Sequence, residues 1–341
     1  MKLRRSGAFI AAIILFAHLS AAKASPAPPP ANSSATQKIL LDTDIGDDID
    51  DVFALGLALS SPELRIVGIT SAWGDTALRS RMLDRLLCET GRDSIPVATG
   101  ISKTAPGAGA FSQQPWAAAG IEHPHPDAVT FLLHQIGLDP GELTLIAIGP
   151  LTNIGAAIDR DPTTFRKLKR VVIMGGSIDR GYNSDHASTT PRPPDAEYNI
   201  AMDPAAARKL FQSGVPLYVM PLDATQIAFD ESQRSLLASI STPLTDAIEI
   251  LTAEWARSTH RQTPILFDAV AAAYALDPTT CPTTPLRLAV DPDGFTRIQP
   301  GPANAQVCLQ PHPEAFFSLL LPRLLHQNLA GSHTCIAPAK P

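Results

Sequence analysis

Short apolar runs alternate along this chain with longer stretches in which apolar residues return every three or four positions. The short runs, at 38–42, 64–72, 95–98, 143–148, 170–174 and 217–220, read as strands. The longer ones predict helices over 50–60, 77–90 and 127–136 and from 152 to 158. In the second of these, Leu78, Met82, Leu86 and Leu87 share one face. Asp203-Pro204 has the cap and first-turn proline that open a further helix. Strands this apolar, interleaved with helices, predict a parallel sheet covered on both faces. The expected fold class is therefore α/β: a Rossmann-like open, mostly parallel sheet with helices on both sides.

After Ser241 the pattern changes. Helices are expected over 244–259 and 269–274, and runs at 286–290, 295–298 and 305–309 read as a small antiparallel meander. A last helix over 314–325 should be kinked or ended by Pro322. Together these form a small C-terminal α/β extension. The long irregular stretches 100–126 and 179–196 interrupt the regular pattern, and loops of that length inside a compact domain usually carry function.

The first residues do not belong to the fold. Lys2, Arg4 and Arg5 precede an apolar run from Ala8 to Leu19, and Ala22-Lys23-Ala24 fits a small-x-small cleavage site. Residues 1–24 read as a signal peptide, 25–37 as a Pro/Ala/Ser-rich linker, 38–330 as the domain and 331–341 as a tail. The expected location is export, to a periplasm or outside the cell, with no stable membrane association after cleavage. Export permits disulfides. Of the four cysteines, Cys281 could pair with Cys308 or Cys335, and Cys88, on a helical pattern, reads as a buried free thiol. The 341 residues are 45% hydrophobic and 18% charged, enough apolar material for a large core. A net charge of −6 and the lack of a basic tract argue against a nucleic-acid partner.

Chemistry concentrates where the first strand ends. Six aspartates, Asp42, Asp44, Asp47, Asp48, Asp50 and Asp51, stand within ten residues. Carboxylates this close repel one another unless a cation or hydrogen bonds compensate, and a hard divalent cation is the simplest compensation. Other motifs also fall at strand carboxyl ends, the rim where open α/β sheets bind ligands. They are Gly74-Asp75-Thr76, Gly149-Pro150-Leu151-Thr152-Asn153 and Met174-Gly175-Gly176, with Asp195-Ala196-Glu197-Tyr198-Asn199 and Phe267-Asp268 as candidates to join them.

In this order the motifs resemble those of the inosine–uridine-preferring nucleoside hydrolase family, from Lys38 to about Leu325. The resemblance implies a Rossmann-like core that binds Ca²⁺ and hydrolyses the N-glycosidic bond of ribonucleosides. It implies that Asp44 binds the metal and deprotonates water, with Asp42, Asp51, the Thr152 carbonyl and Asp268 on the metal side. Asp50, Glu197 and Asn199 would hold the ribose, and family members often assemble as oligomers. Three carboxylates, a carbonyl, water and sugar hydroxyls suit calcium; zinc would call for His or Cys.

Several departures from the family pattern stand out. Asp47, Asp48 and Ile49 lie between Gly46 and the Asp50-Asp51 pair, two residues more than usual; an ungapped register would instead put Ile49 at a chelating position. Asp75 replaces an asparagine that contacts ribose, and remains a substrate-binding candidate. Phe267 stands where many members carry a histidine that protonates the leaving base. A phenyl ring donates no proton, but it can stack on a base, and with Trp116 in the 100–126 loop it points to purine preference. The asparagine upstream of Ala196-Glu197 has only Asn183 as a distant counterpart. Asp47 and Asp48 also have a plain reading as helix caps. Two rivals accompany the hydrolase reading: a nucleoside-binding or sensing protein that has lost turnover, and a phosphohydrolase built on Asp42-x-Asp44, for which no lysine-bearing motif is in place.

Overall fold

The computed structural model describes residues 36–103, 111–183, 192–331 and 334–338. The signal-peptide and linker readings fall almost wholly outside these residues. Among the described residues, ten strands occur in chain order: β1 (Gln37–Thr43), β2 (Leu64–Ser71), β3 (Val97–Ala98), β4 (Thr144–Ala147), β5 (Arg170–Met174), β6 (Leu217–Met220), β7 (Thr283–Leu286), β8 (Leu288–Val290), β9 (Thr296–Ile298) and β10 (Ala305–Cys308). Eight form one sheet in the order β3-β2-β1-β4-β5-β6-β10-β7, while β8 and β9 pair separately. All neighbours in the large sheet are parallel except β10 and β7.

The apolar strands are buried on both faces, as their sequences require. Side chains alternate along a strand. Ile39 and Leu41 accordingly join one core cluster and Leu40 the other. In β5, Val172 and Met174 go to the first cluster, Val171 and Ile173 to the second.

The extension differs from expectation. No three-stranded meander forms: β10 enters the main sheet beside β6, β7 closes its edge, and only β8–β9 remains a separate antiparallel pair. A disulfide from Cys281 to Cys308 ties the approach to β7 to the end of β10. A second joins Cys88 to Cys335, so Cys88 is not the free thiol its helical pattern implied. Spacing alone could not reveal a pair 247 residues apart. The last helix, Pro313–His326, runs through Pro322. Leu324, just beyond it, is fully buried, and that burial offsets the missing backbone donor.

Between β3 and β4 the chain crosses to the other side of β1, so the strand order reverses between β1 and β4. Open α/β sheets bind ligands in the crevice outside such a switch point. The aspartate segment follows β1 and the Gly149–Asn153 turn follows β4. Two helices start at the same rim, Asp50–Leu59 and Phe267–Leu276. Both are almost wholly buried, and both carry acids in the first turn, where the helix dipole favours negative charge.

Candidate active site

The helix starts bring Asp50, Asp51 and Asp268 together, with one oxygen from each within 4.8 Å of the others. All three are buried. Burial, and then the charges of the neighbouring acids, push all three carboxyl groups well above their usual range. The Asp268 backbone N–H donates to Asp50 Oδ2 at 3.0 Å, which locks the two helix starts in register. The Thr43 hydroxyl donates to Asp51 Oδ1. Three buried oxygen donors with surplus negative charge and no imidazole or thiolate among them fit a hard divalent cation.

These acids form the floor of a pocket of about 140 Å³ whose walls include Asp44, Glu197, Asn199, Tyr198, Tyr182 and Phe267. Asp44 ends the first strand's rim. A Cβ at position 149 would come within 2.8 Å of Asp44 Oδ1, so only glycine lets the turn after β4 approach this carboxylate. Burial lifts the Asp44 carboxyl to about 7; the neighbouring Arg79 charge opposes the rise, while Asp47 and Asp42 add to it.

Glu197 caps the short helix Tyr198–Ala201. Its Oε1 accepts from Asn199 N at 2.9 Å, and its Oε2 from Gly176 N at 2.9 Å and Ile200 N at 3.2 Å. Burial nevertheless raises it to about 7, and these bonds oppose the shift. An ionised carboxylate has about four acceptor sites; three backbone N–H groups take three of them, and the Tyr182 hydroxyl also bonds this carboxylate. Asn199 Nδ2 donates to the Ile148 and Met174 carbonyls, both at 3.2 Å, which fixes its amide across the ends of β4 and β5.

Several sequence candidates stand elsewhere. Asp42 is fully buried beneath the rim, where it accepts from the Thr70 hydroxyl and from Asn153 Nδ2 at 2.8 Å. It lies outside the acid trio, whose third member is Asp50, a residue read from sequence as a ribose contact. Thr152 opens the helix Thr152–Arg160, with its hydroxyl donating to Asp203 Oδ2 at 2.9 Å. Asp75 is the N-cap of the helix Thr76–Glu89, accepting from Leu78 N at 3.0 Å, and does not line the pocket. Trp116 is 4% exposed and also lies off the pocket; the Arg85 guanidinium covers its ring at 3.9 Å. A base-stacking role for Trp116 is thereby corrected to a packing one, because its ring face is already occupied. Asn183 binds Gln226 through its backbone and lines an outer cavity rather than the acid pocket.

The two extra residues also resolve. The N-cap of Asp50–Leu59 is Ile49, so neither Asp47 nor Asp48 caps that helix. Asp47 pairs with Arg79. Asp48 accepts from Ile49 N at 2.7 Å and faces Arg261 and Trp255. The lengthened loop is pinned from outside: Gln113 Nε2 donates to Asp48 O at 2.9 Å and Gln113 N to Gly46 O at 3.0 Å.

Sequence reasoning missed Arg79. Its guanidinium donates to the carbonyls of Asp44, Ile45 (2.8 Å) and Trp73 (2.9 Å) as well as to Asp47. One side chain thus holds the loop that carries the acids. A signal existed, because Arg79 lies three and four positions before Met82 and Leu83 on the buried stripe of its helix. Tyr182 and Tyr198 were missed as well: Tyr198 lies inside the Ala196–Asn199 motif, which gives it no role of its own, and nothing in the local pattern marks Tyr182.

The sequence model of the inosine-uridine preferring nucleoside hydrolase family matches residues 39–318. A probable uridine nucleosidase 2 from Arabidopsis thaliana is 34% identical over 221 residues, 60% of this chain and 65% of that protein. The pyrimidine-specific ribonucleoside hydrolase RihA of Citrobacter koseri is 34% identical over 213 residues, 58% of this chain and 64% of its own. The matches therefore span just under two thirds of these relatives. Among solved structures, a plant nucleoside hydrolase, the PpNRh1 enzyme, superposes with a TM-score of 0.73 at 26% identity, covering 86% of this chain and 100% of that one. A purine-preferring ribonucleoside hydrolase from Gardnerella vaginalis gives 0.68 at 26% identity, covering 84% and 98%.

Proposed function

The chain belongs to the inosine-uridine preferring nucleoside hydrolase family, and on that premise we propose that it hydrolyses ribonucleosides to free base and ribose with the help of calcium. The observation that carries this reading is the joining of the buried acid trio, Asp44 and the Glu197–Asn199 pair in one small pocket. Asp50, Asp51 and Asp268 would hold the ion, with the Thr152 carbonyl an added ligand by family resemblance. When bound, calcium supplies the charge that lets these acids ionise together and Lewis acidity toward oxygen ligands.

Asp44 takes a proton from the attacking water. Glu197 accepts a ribose hydroxyl in place of the Tyr182 hydroxyl, and the fixed Asn199 amide and Asp50 orient the same sugar face. As the glycosidic bond stretches, positive charge grows on the sugar, and the surrounding carboxylates stabilise it. Phe267 meets the base, with the Tyr182 ring edge-on to it at 6.2 Å between centroids. Purine preference now rests on Phe267 alone, since Trp116 is buried elsewhere, and the two curated relatives are named for uridine and pyrimidine nucleosides. We further propose action after export, supported by two disulfides, which persist in oxidising compartments.

The test is ribose release from inosine, adenosine, guanosine, uridine and cytidine, with calcium present and after chelation. Release that disappears with chelation and returns with calcium is expected. No release from any of the five sinks the reading. A kcat/KM for uridine above that for inosine removes the purine preference. A second reading, nucleoside binding without turnover, is favoured by Phe267 in place of a proton donor, and tight binding without ribose release would establish it.

A further inference from the structure

Beyond the acid pocket lies a second cavity of about 700 Å³. The two share Asp48, Tyr182 and Phe267, so the outer one opens on the side of the pocket away from the acid floor. A sugar held by the floor would project its base this way. Phe267 offers the base only a ring face. A departing base carries the electron pair of the broken bond on a ring nitrogen, and its acceptor atoms then seek hydrogen-bond donors.

Two guanidinium groups line the outer cavity among the described residues. Arg192 donates to the Tyr182 carbonyl at 3.2 Å. Arg261 instead faces the carboxylate of Asp48, the second of the two extra residues in the aspartate loop. Its position is set by the backbone. The helix Pro243–Thr259 ends at His260, whose φ of 58° turns the chain out of the helix. A few residues on, the strand-like stretch before Phe267 is clamped by Phe229 N to Pro264 O at 2.8 Å and Leu266 N to Ile227 O at 2.8 Å. Arg261 is therefore carried on a short, anchored segment at the pocket mouth.

Resting on the hydrolase reading above, we propose that Arg261 is the residue that recognises and releases the nucleobase. Its N–H groups donate to carbonyl oxygen or ring-nitrogen acceptors, which every common base presents. The C1′–N bond breaks with both electrons going to the base. Water adds its oxygen to C1′ and gives a proton to Asp44. The anionic base, held by Arg261, then takes a proton from solvent, and Asp44 returns its own proton to solvent. Arg261 stays protonated throughout, so it lowers the cost of the anion without acting as an acid. The Asp48 charge borders the same cavity and favours the guanidinium there.

The experiment compares Arg261→Met and Arg261→Lys with the unaltered protein, calcium-loaded, on two substrates. One is inosine. The other is p-nitrophenyl β-D-ribofuranoside, whose phenolate leaves without help. A donor on developing charge is worth roughly 10²–10³ in kcat, so Arg261→Met should lose about 10² on inosine. It should stay within about twofold on the nitrophenyl riboside, and Arg261→Lys should recover part of the inosine rate, keeping the charge but not the fork. Equal losses on both substrates, or no loss on either, overturn the proposal. Unaltered protein that cleaves the nitrophenyl riboside but not inosine overturns it too, since base activation is then missing. Unaltered protein that cleaves neither substrate fails the hydrolase reading itself, and this inference with it.

Discussion

The floor and the mouth of the pocket are built in opposite ways. Around the floor the acids are held by fixed donors: Asp50 by the Asp268 N–H, Asp51 by the Thr43 hydroxyl, Glu197 by three N–H groups, and the aspartate loop by Arg79 on its carbonyls. At the mouth, Arg261 is exposed and has the Asp48 carboxylate only as a charged neighbour. A rigid floor keeps charges in place for a reaction that moves charge onto the sugar, because pre-oriented groups need no reorganisation at that moment. On the proposed reading the mouth would meet the part of the substrate that differs between nucleosides, and looser side chains there can change without disturbing the chemistry. On the proposed reading, sugar chemistry and base choice are separated in space between two adjoining cavities.

The sharpest way to break this division is at Asp44. Asp44→Asn keeps the shape and loses the base, so kcat should fall by about 10²–10⁴ on inosine and on p-nitrophenyl riboside alike. The equal loss is the point of the measurement, because a floor residue should not distinguish leaving groups. A loss confined to inosine would move Asp44 to the base side and collapse the distinction.

Arg79 tests the rigidity of the floor. Arg79→Met leaves three backbone carbonyls and Asp47 without their shared donor. Removing one partner of a buried charged network costs about 3–5 kcal/mol, to be read from urea unfolding. Arg261→Met, at the exposed mouth, should change stability by no more than about 0.5 kcal/mol. Similar costs for the two arginines would mean that floor and mouth are equally constrained.

Acidity sharpens the comparison further. With calcium removed, burial raises Asp42 to about 6 and Asp44 and Glu197 to about 7, from 3.8, 3.8 and 4.5. Below the lower values these groups are protonated in both folded and unfolded chains, and stability is at its fullest. As pH rises, the unfolded chain ionises first, so stability falls until the folded-state values are passed; one unit corresponds to about 1.4 kcal/mol. Thermal melts in chelator should therefore fall between pH 4.5 and pH 7.5, roughly the window those values set, and calcium should reverse the trend. A chelated protein that gains stability over that window would show that the floor acids are not held against their charge.

How far the sequence foretold this depends on whether a residue acts through its own element or through a distant one. The strands, their buried faces and the switch-point location follow from apolar runs alternating with helical ones, since period and burial are local. Asp44 and Asp51 follow the first strand, where one fold rule places ligands; Glu197, Asn199 and Asp268 stand at helix starts many residues past any strand end, and only the family motif pointed to them. The fate of β10 was not legible, because a short apolar strand pairs equally well in a meander or at a sheet edge, and only tertiary packing decides. Cys88 was misread for the same reason, its partner lying 247 residues away. Trp116 sat in a loop whose pattern carries no direction, so its burial under Arg85 had no local sign. Arg79 did leave a trace, a charge on an apolar stripe, and such a residue should be read as a buried anchor.

The smallest predicted effect marks where the floor ends. Asp75 follows β2 on the same rim as the acids, and the family pattern puts a ribose contact there. In the structure its carboxylate caps a helix and is exposed. Exposure alone does not remove a ligand role, since a substrate could cover the residue. The geometry argues otherwise: Oδ1 already accepts the Leu78 N–H, and the cavity that Asp75 lines is shared with Arg81, Glu122 and His123 rather than with Asp44 or Glu197. A capping aspartate is worth about 1 kcal/mol. Asp75→Ala should therefore lower the urea midpoint by a corresponding amount and leave KM for inosine and kcat within about twofold, a change far below the 10² expected of a lost transition-state contact. Asp75→Asn should restore most of the stability, because asparagine caps a helix nearly as well. A tenfold rise in KM with unchanged stability would place Asp75 on the sugar and extend the floor across β2. The predicted result confines it to the group around Asp44, Glu197 and the two buried helix starts.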